Sequence, residues 1–566
     1  MASFKVLLCI PPDYDYNFPP LGTPALVAFL KNKGIAAEQT DLNLKYRDFL
    51  VSRILCPSLS LKEKRHLLKK IIMKKFFMEK LKNRYYSRFL YKSEYSDRLP
   101  YDNNTNSSFY FTERLLSSEL LWRYLEDRAE NTFYQFYENE NFLDSLDKRN
   151  IDLLGISIIS PSQAIPSLTL GLLVKKYLPH IHICIGGQWP TLYRRIISEK
   201  KELFKCFDSI IIFEGETSLY KLATAIKNSK DISYVPNIIL KDNKPDLEKN
   251  QKEENLDLLP CPDFDGLSLD RYAGRMYDKL SLTYEASRGC YWSKCTYCVD
   301  LPLPKPLYRM KSPNLIIRDM KELRKRYKAG ALMFGDPGLS PRHMLEISKQ
   351  ILKERVEIDW WCMARLDPGF NFQMFKLARR AGLKQINFGF ESANDKVCET
   401  MHKGNKKEHS LRIIKDCSRA GIRVYLQTML GLPKETFADS LETVDFLIAN
   451  KKNISNVVFN TYYLTPSNFI YLNPEKYGIE YENNRQLPFR FFIPFKNLKG
   501  MSQKEADLLE QLYNTLLIKK DKDENSRKDI NATSKGRLEF SLNGESMRAN
   551  YVRNKKTKEF YFVNRK

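Results

Sequence analysis

Short apolar runs alternate with segments of helical periodicity through the first 230 residues of the chain. Residues 4–10 are almost continuously apolar and are followed by two prolines, which predicts a buried first strand. Residues 21–34 carry apolar side chains at helical spacing and end on glycine, which predicts a helix. This order of strand and helix is typical of an α/β fold with a parallel, doubly wound sheet. Further strands are predicted at 36–42, 151–160, 182–187 and 209–216.

The same alternation returns between residues 281 and 470. Six strand-and-helix units in succession indicate a partial or full β/α barrel, whose active face lies at the carboxyl ends of the strands. The strands are predicted near 282–287, 331–335, 357–363, 384–390, 422–429 and 456–462.

Changes in composition mark the boundaries of these regions. A stretch rich in Lys, Tyr, Phe and Glu interrupts the first sheet and predicts a helical insertion. A charged run precedes the barrel, and a helix followed by alternating segments closes the chain. The predicted domains are a doubly wound domain at 1–230 with an insertion at 45–148, a linker at 231–280, a barrel at 281–470 and an α+β region at 471–566.

Length, charge and cysteine content indicate the number of domains, the kind of partner and the location of the protein. With 566 residues, of which 43% are hydrophobic, the chain is long enough for about two to four domains. The net charge of +24 is compatible with a polyanionic partner, but the lysines spread over the whole chain, so we expect no nucleic acid. Eleven cysteines without a secretion signal indicate a reducing, cytoplasmic location.

Membrane contact is a separate question. The sequence has no run of about 18 apolar residues, so we expect no membrane span. Residues 61–91 have apolar positions at helical spacing with lysines between them, and such a helix can lie on a membrane surface. Peripheral contact therefore stays open, although we expect this helix to pack one face on its own domain or to cap a substrate pocket.

Three cysteines directly follow the first predicted barrel strand. Cys290, Cys295 and Cys298 lie within nine residues, and three thiolates on a 4Fe–4S cluster leave one iron without a protein ligand. An open coordination position is where substrate chemistry takes place, so we expect an enzyme. Structural zinc and chance clustering are the alternatives, but a zinc site usually has a second ligand pair, and no Cys/His pair lies nearby.

The cysteine loop resembles that of radical S-adenosylmethionine (SAM) enzymes. Its pattern is Gly-Cys-x-x-x-x-Cys-x-Tyr-Cys, with four residues between the first two cysteines where that family normally has three. The resemblance implies that the amine and carboxylate of SAM chelate the unique iron. It also implies reductive cleavage of SAM to a 5′-deoxyadenosyl radical, with flavodoxin or ferredoxin as electron donor.

Four short motifs precede this loop: Pro11-Pro12, Pro20-Leu-Gly22, Gly186-Gly187 and Glu214-Gly-Glu216-Thr. Their order resembles that of cobalamin (B12)-binding radical SAM enzymes. It implies a Rossmann-like N-terminal domain that holds cobalamin above the cluster. The Asp-x-His-x-x-Gly signature is absent, which implies cobalamin with its base displaced and no histidine ligand. A domain that keeps the fold without cobalamin is the alternative. The expected cobalamin contacts are Pro12, Ser160, Gly186, Gly187, Glu214, Gly215 and Glu216.

The resemblance also implies SAM contacts at the ends of the barrel strands. An acidic residue after the second strand would receive the amino group, and an arginine after the third would pair with the carboxylate. Gly-Phe-Glu-Ser after the fourth strand and Gly-Leu-Pro after the fifth would complete the site. The expected residues are Tyr297, Asp336, Arg365, Gly389, Glu391, Ser392, Gly431 and Pro433.

The function implied by this family is C-methylation of an unactivated carbon. The expected substrate is a specialised metabolite or a ribosomally made peptide. A non-methylating B12 radical cyclase or rearrangement enzyme is the alternative within the family. A tRNA-modifying methylthiotransferase and a non-catalytic cluster-binding protein are alternatives of other classes.

Overall fold

Two parallel sheets and the helices around them form the framework of the chain in a computed structural model. The structure describes residues 4–55, 119–298, 308–481, 493–517 and three strands between 535 and 564, with single gaps at 16, 130, 273, 277 and 467. The α/β fold class predicted from the sequence is confirmed. The amphipathic segment 61–91 lies outside the described residues.

The first sheet has six strands in the order β2-β1-β3-β4-β5-β6. The first five are parallel, and β6 pairs antiparallel with β5. Five of the six residues of β1 are buried, because helices cover both faces of the sheet, and this explains its unbroken apolar run. The strands are β1 Lys5–Ile10, β2 Ala36–Asp41, β3 Leu153–Ser157, β4 His182–Gly186, β5 Ser209–Ile211 and β6 Ile238–Ile239.

Nine helices of the described residues accompany this sheet. Three of them lie in the predicted insertion, where Asn131 caps the second by accepting hydrogen bonds from Phe133 N and Tyr134 N. The strand predicted at 209–216 is wrong in its second half, because Glu216 already begins a helix after Gly215. The helices are α1 Gly22–Asn32, α2 Leu42–Leu55, α3 Glu119–Glu126, α4 Thr132–Asn139, α5 Phe142–Lys148, α6 Ala164–Tyr177, α7 Gln188–Leu192, α8 Arg194–Ile197 and α9 Glu216–Lys227.

The second sheet is a curled half-barrel in the order β15-β14-β13-β12-β11-β8-β7. Six strands are parallel, and a short hairpin strand, β7, closes one edge. A separate ribbon pairs Arg288 with Arg309 antiparallel. The strands are β7 Arg275–Met276, β8 Lys279–Tyr284, β9 Ser287–Arg288, β10 Arg309–Met310, β11 Ala331–Phe334, β12 Asp359–Arg365, β13 Leu383–Glu391, β14 Arg423–Leu430 and β15 Asn456–Thr461.

The barrel helices begin at side-chain caps that the sequence provides. Ser312, Ser340, Asn371, Asn394 and Thr436 each accept a backbone N–H of the helix that follows. The large core between helices and strands is aromatic and aliphatic, with Trp360 fully buried at its centre. The helices are α10 Pro313–Tyr327, α11 Pro341–Lys353, α12 Phe372–Arg380, α13 Asp395–Thr400, α14 Lys407–Arg419 and α15 Phe437–Ala449.

The predicted linker is packed between the two sheets. Its Asp263 pairs with Lys31 of α1 and with Arg326 of α10, at 2.8 and 3.0 Å. Gln39 of β2 donates to the carbonyl oxygens of Asp263 and Asp265. The linker also supplies β6, which extends the first sheet.

The C-terminal region covers the last barrel strand. Its long helix buries Ala506, Leu509 and Tyr513 against the barrel, with the Tyr513 ring 5.1 Å from that of Phe459. None of the described helices is long and apolar enough to cross a membrane. The elements are α16 Phe469–Leu472, α17 Pro474–Tyr477, β16 Ile479–Tyr481, β17 Phe495–Asn497, α18 Gln503–Leu517, β18 Lys535–Leu542, β19 Glu545–Arg553 and β20 Phe560–Asn564.

Candidate active site

The cysteine loop begins at the carboxyl end of β8, on the face where an active site is expected. Gly289 has a φ of +79°, which lets the chain turn out of β9 into the loop. Cys290, Cys295 and Cys298 are half-buried free thiols in this loop. Among the described residues, no three His, Cys, Asp or Glu side chains are arranged to hold a metal ion.

Whether this loop can hold a cluster is therefore judged from the sulfur ligands that it offers. Three thiols lie on one short loop, and the guanidinium of Arg365 donates to Cys295 Sγ over 3.7 Å. Positive charge beside a sulfur stabilises its thiolate form, which is the form that binds metal. The residues present thus fit a 4Fe–4S cluster held by three cysteines.

Asp336 supports this loop from below. It is fully buried, and its two oxygens accept hydrogen bonds from Ser287 Oγ at 2.5 Å and from Ala286 N at 3.2 Å. Burial raises its pKa to about 6. The structure thus turns this carboxyl towards β9, whereas its role as receptor of the SAM amine stays a prediction.

A tryptophan of the cysteine loop packs against a distant glycine. Trp292 Nε1 donates to His402 O at 2.8 Å, and its ring occupies the space where a side chain at 404 would lie. Gly404 has a φ of +73°, and a Cβ there would stand 2.3 Å from the ring. The glycine therefore makes room for the tryptophan of the loop.

Arg365 ends β12 next to this tryptophan. Its guanidinium lies 4.3 Å from the centre of the Trp292 ring and donates Nη2 to Lys403 O. Its Nε is buried and has no hydrogen-bond partner. An unpaired buried N–H next to the cysteine loop can receive an anionic group, as the expected contact to the SAM carboxylate requires.

A buried triad lies beneath the loop. Lys403 Nζ is 2.7 Å from Glu391 Oε1 and 2.9 Å from Tyr297 Oη, and Tyr297 Oη is 3.0 Å from the same carboxylate oxygen. A Cβ on Gly389 would approach Lys403 Nζ to 2.8 Å, so glycine there makes room for the ion pair. Sequence reasoning missed Lys403; its signal was the Met-His-Lys-Gly segment that follows the Glu391 strand.

The remaining barrel residues of the prediction are occupied within the protein. Ser392 Oγ bonds to Thr443 Oγ1 at 3.0 Å rather than facing the barrel mouth. Gly431 has a φ of +75°, and a Cβ there would lie 2.6 Å from Ala506 Cβ, so helix α18 requires the glycine. Gly431 and Pro433 do lie at the carboxyl end of β14, as predicted.

A second site lies at the carboxyl edge of the first sheet. A cavity of about 510 Å³ has mainly apolar walls, from Leu8, Leu26 and Ile211 among others. The described residues that line it include no histidine. The expected residues Gly186, Gly187, Glu214, Gly215 and Glu216 all line it.

Two expected residues do not line this cavity. They are Pro12, in the chain after β1, and Ser160. Gln163 links the two segments, because its side chain donates to Pro11 O at 2.8 Å and accepts from Ser160 N at 3.1 Å. Gly187, which does line the cavity, lies close against the chain that follows β3. Its φ is +111°, and a Cβ there would stand 2.5 Å from Ile158 O.

The cavity and the cysteine loop meet at one arginine that the sequence reasoning missed. Arg288 lines the cavity and lies two residues before Cys290. It pairs with Glu214 at 2.7 Å and with Glu216 at 2.5 Å. These carboxylates were expected to contact cobalamin, but in this structure they face the arginine.

Comparison with known proteins agrees with this geometry. Residues 284–447, which contain the cysteine loop and strands β11 to β14, match the radical SAM superfamily. The chain therefore contains a radical SAM domain. The prediction that it is a radical SAM enzyme is therefore confirmed.

Two curated relatives of this radical SAM protein are known by name. An uncharacterized methyltransferase of Pyrococcus horikoshii is 24% identical over 313 residues, which cover 54% of this chain and 66% of the relative. The 4′-phospho-dehydrooxetanocin synthase of Priestia megaterium is 25% identical over 393 residues, which cover 62% of this chain and 49% of the synthase. The chain thus spans about half to two thirds of the length of these relatives.

A solved structure shares the whole architecture. The radical SAM methyltransferase TsrM of Kitasatospora setae, solved with cobalamin and a 4Fe–4S cluster, has a TM-score of 0.54 and 14% identity. The match covers 89% of this chain and 84% of TsrM. The chain therefore shares the fold of TsrM, with both sheets included.

Proposed function

We propose that this radical SAM protein binds cobalamin in the cavity of the first sheet and a 4Fe–4S cluster at Cys290, Cys295 and Cys298. The observation that carries the proposal is that the cavity is walled by Glu285 and Arg288, immediately before the cysteine loop. The two cofactors would thus face each other across one short ribbon. The apolar lining of the cavity favours a large, partly apolar ligand, and its glycines allow close approach of the backbone.

The protein side chains have defined tasks in this proposal. When bound, the two cofactors supply the radical that activates an unreactive C–H bond and the methyl group that replaces its hydrogen. Arg365 offers its unpaired Nε–H as the donor that would hold the SAM carboxylate, and its Nη1 donates to Cys295 Sγ. Lys403 and Glu391 hold Tyr297 rigidly between two of the cysteines.

The reaction we propose is C-methylation of an unactivated carbon in a specialised metabolite or a ribosomal peptide. A methyltransferase among the relatives and the fold of TsrM support this proposal. The other relative is named as a synthase and not as a methyltransferase, and this supports a second candidate, a radical rearrangement or cyclisation without methyl transfer.

Anaerobic reconstitution tests these proposals. The purified chain is loaded with iron, sulfide and hydroxocobalamin, its iron and corrin are counted, and it is then turned over with SAM and dithionite. S-adenosylhomocysteine together with 5′-deoxyadenosine supports methylation, whereas 5′-deoxyadenosine alone supports the second candidate. Absence of both products contradicts both, and iron for two clusters would point to methylthiolation. Flavodoxin or ferredoxin in place of dithionite tests the proposed electron donor.

A cysteine variant tests the assignment of the cluster. Cys295→Ser is expected to abolish SAM cleavage and to leave corrin uptake unchanged, because the cavity lies on the other sheet. Cys261→Ser is the matched control, since Cys261 is also a half-buried free thiol but lies outside the loop. Equal SAM cleavage by the two variants would contradict the assignment.

A further inference from the structure

All three nitrogens of the Arg288 guanidinium donate hydrogen bonds to carboxylates. Its Nη1 is 2.7 Å from Glu214, its Nη2 is 2.5 Å from Glu216, and its Nε is 2.9 Å from Glu285. The arginine side chain is only 16% exposed, and that of Glu216 only 5%. A planar, multiply bonded guanidinium fixes the direction of its partners as well as their distance.

The carboxylates belong to the cavity and the arginine to the cysteine loop. Glu214 and Glu216 form the turn from β5 into α9, which is one wall of the cavity. Arg288 lies in β9, whose next residues are Gly289 and Cys290. The ion pairs therefore join one wall of the proposed cobalamin site to the first ligand of the proposed cluster.

A second arginine on the same ribbon repeats the contact. Arg309 of β10 is paired in register with Arg288, and its Nη2 binds the other oxygen of Glu214. Its Nη1 donates to Glu254 O at 2.6 Å, and Glu254 N in turn donates to Glu214 at 3.1 Å. Glu214 is thus held from both strands of the ribbon.

The positive charge of Arg288 favours the ionised form of Glu216. Burial alone would raise the pKa of Glu216, but the charge and hydrogen bonds of Arg288 bring it below its usual value. Buried ion pairs of this kind contribute little net stability, because desolvation offsets their attraction. Their effect here is geometric, since Glu214 and Glu216 hold the cavity wall at fixed distances from Arg288.

We propose that Arg288, with Glu214 and Glu216, is the positioning element that sets the spacing between the corrin and the cluster. This inference rests on the proposed function, since it needs both cofactors to be bound. Loss of the arginine would release Glu216 and leave Glu214 tied to the ribbon through Arg309, so the cavity wall would be able to shift against the ribbon.

The spacing can be measured without knowing the substrate. The reconstituted full chain is prepared with cob(II)alamin and a reduced cluster, and both electron paramagnetic resonance signals are recorded. Two neighbouring paramagnets broaden each other's lines and speed relaxation, so the wild-type chain is expected to show this interaction. Arg288→Gln, compared with the wild type at equal iron and corrin content per chain, is expected to show a clearly weaker interaction.

Two further variants make the test decisive. Glu216→Gln removes one charged partner of Arg288 with little change of shape, so it is expected to weaken the spectroscopic interaction between corrin and cluster. If Arg288→Gln does not fold, this variant provides the test. Arg195→Gln is the control, because Arg195 also binds a carboxylate, that of Glu248, through two nitrogens but does not line the cavity. It is expected to leave the interaction unchanged.

The outcomes separate this inference from the proposed function. An unchanged interaction in loaded Arg288→Gln or Glu216→Gln would overturn the positioning role alone. A wild-type chain that takes up no corrin would overturn the proposed function, and this inference with it. A merely structural ion pair would alter thermal stability without moving the spectroscopic interaction.

Discussion

The buried ion pair between Lys403 and Glu391 gives the sharpest test of the barrel interior. The two charged atoms are 2.7 Å apart, and the side chains are only 6% and 8% exposed. Lys403→Met would remove the cation and leave the carboxylate of Glu391 buried, with only Tyr297 as hydrogen-bond donor from this triad. Breaking one half of a buried pair costs about 3–5 kcal/mol, because the remaining charge stays desolvated.

The chain contains a matched control for this perturbation. Lys407 and Glu442 are also 2.7 Å apart, but their side chains are 43% and 40% exposed. Water screens such a pair, so Lys407→Met should cost at most about 1 kcal/mol. The two substitutions remove the same group at the same distance, and only burial separates their expected effects.

Thermal unfolding of the purified chain measures the difference. For a region of the size of this barrel, each kcal/mol lowers the melting temperature by roughly 2–4 °C. Lys403→Met should therefore lower it by roughly 6–20 °C, and Lys407→Met by at most about 4 °C. The double variant Lys403→Met/Glu391→Gln should recover much of the loss, because no uncompensated charge remains. Equal melting of the two single variants, or a double variant no better than Lys403→Met, would refute the reasoning.

Two further predictions concern a buried acid and a strained glycine. Burial raises the pKa of Glu435 from 4.5 to about 8, so its stabilising contribution is complete below pH 4.5 and is lost as the pH rises through 8. Glu435→Gln cannot ionise, so its melting temperature should fall less than that of the wild type between pH 5 and 9; parallel curves would contradict this. Gly187→Ala should weaken hydroxocobalamin uptake, measured by corrin absorbance after desalting, because its Cβ would meet Ile158 O. Gly34→Ala is the control, since Gly34 also has a positive φ but has free space around it, and equal uptake by both variants would count against the cavity.

The features that were predictable from the sequence are local ones. Three cysteines within nine residues stay together in any fold, because the chain between them is short. Alternating strands and helices with caps such as Ser312 and Thr436 follow from hydrogen bonds within a few residues. The position of Arg365 at a strand end likewise follows from the length of β12.

The partners of the predicted polar residues could not be predicted in the same way. Asp336 lies beneath β9, Glu391 pairs with Lys403, and Glu214 and Glu216 pair with Arg288. Glu214 and Glu216 lie more than 70 residues from Arg288 along the chain. Which of several charges a carboxylate meets over such a separation depends on how helices and sheets pack, and alternation of apolar residues carries no information about that.

The sequence by itself therefore determined the two α/β regions, the cysteine loop and the chemistry that three thiols offer, because periodicity and short spacing act along the chain. Only the tertiary structure decided that the cavity of one sheet borders the cysteine loop of the other, that Trp292 enters the space left by Gly404, and that Arg288 joins the two sites. These contacts join residues far apart in sequence, and the burial of charge between them selects one arrangement of the two sheets.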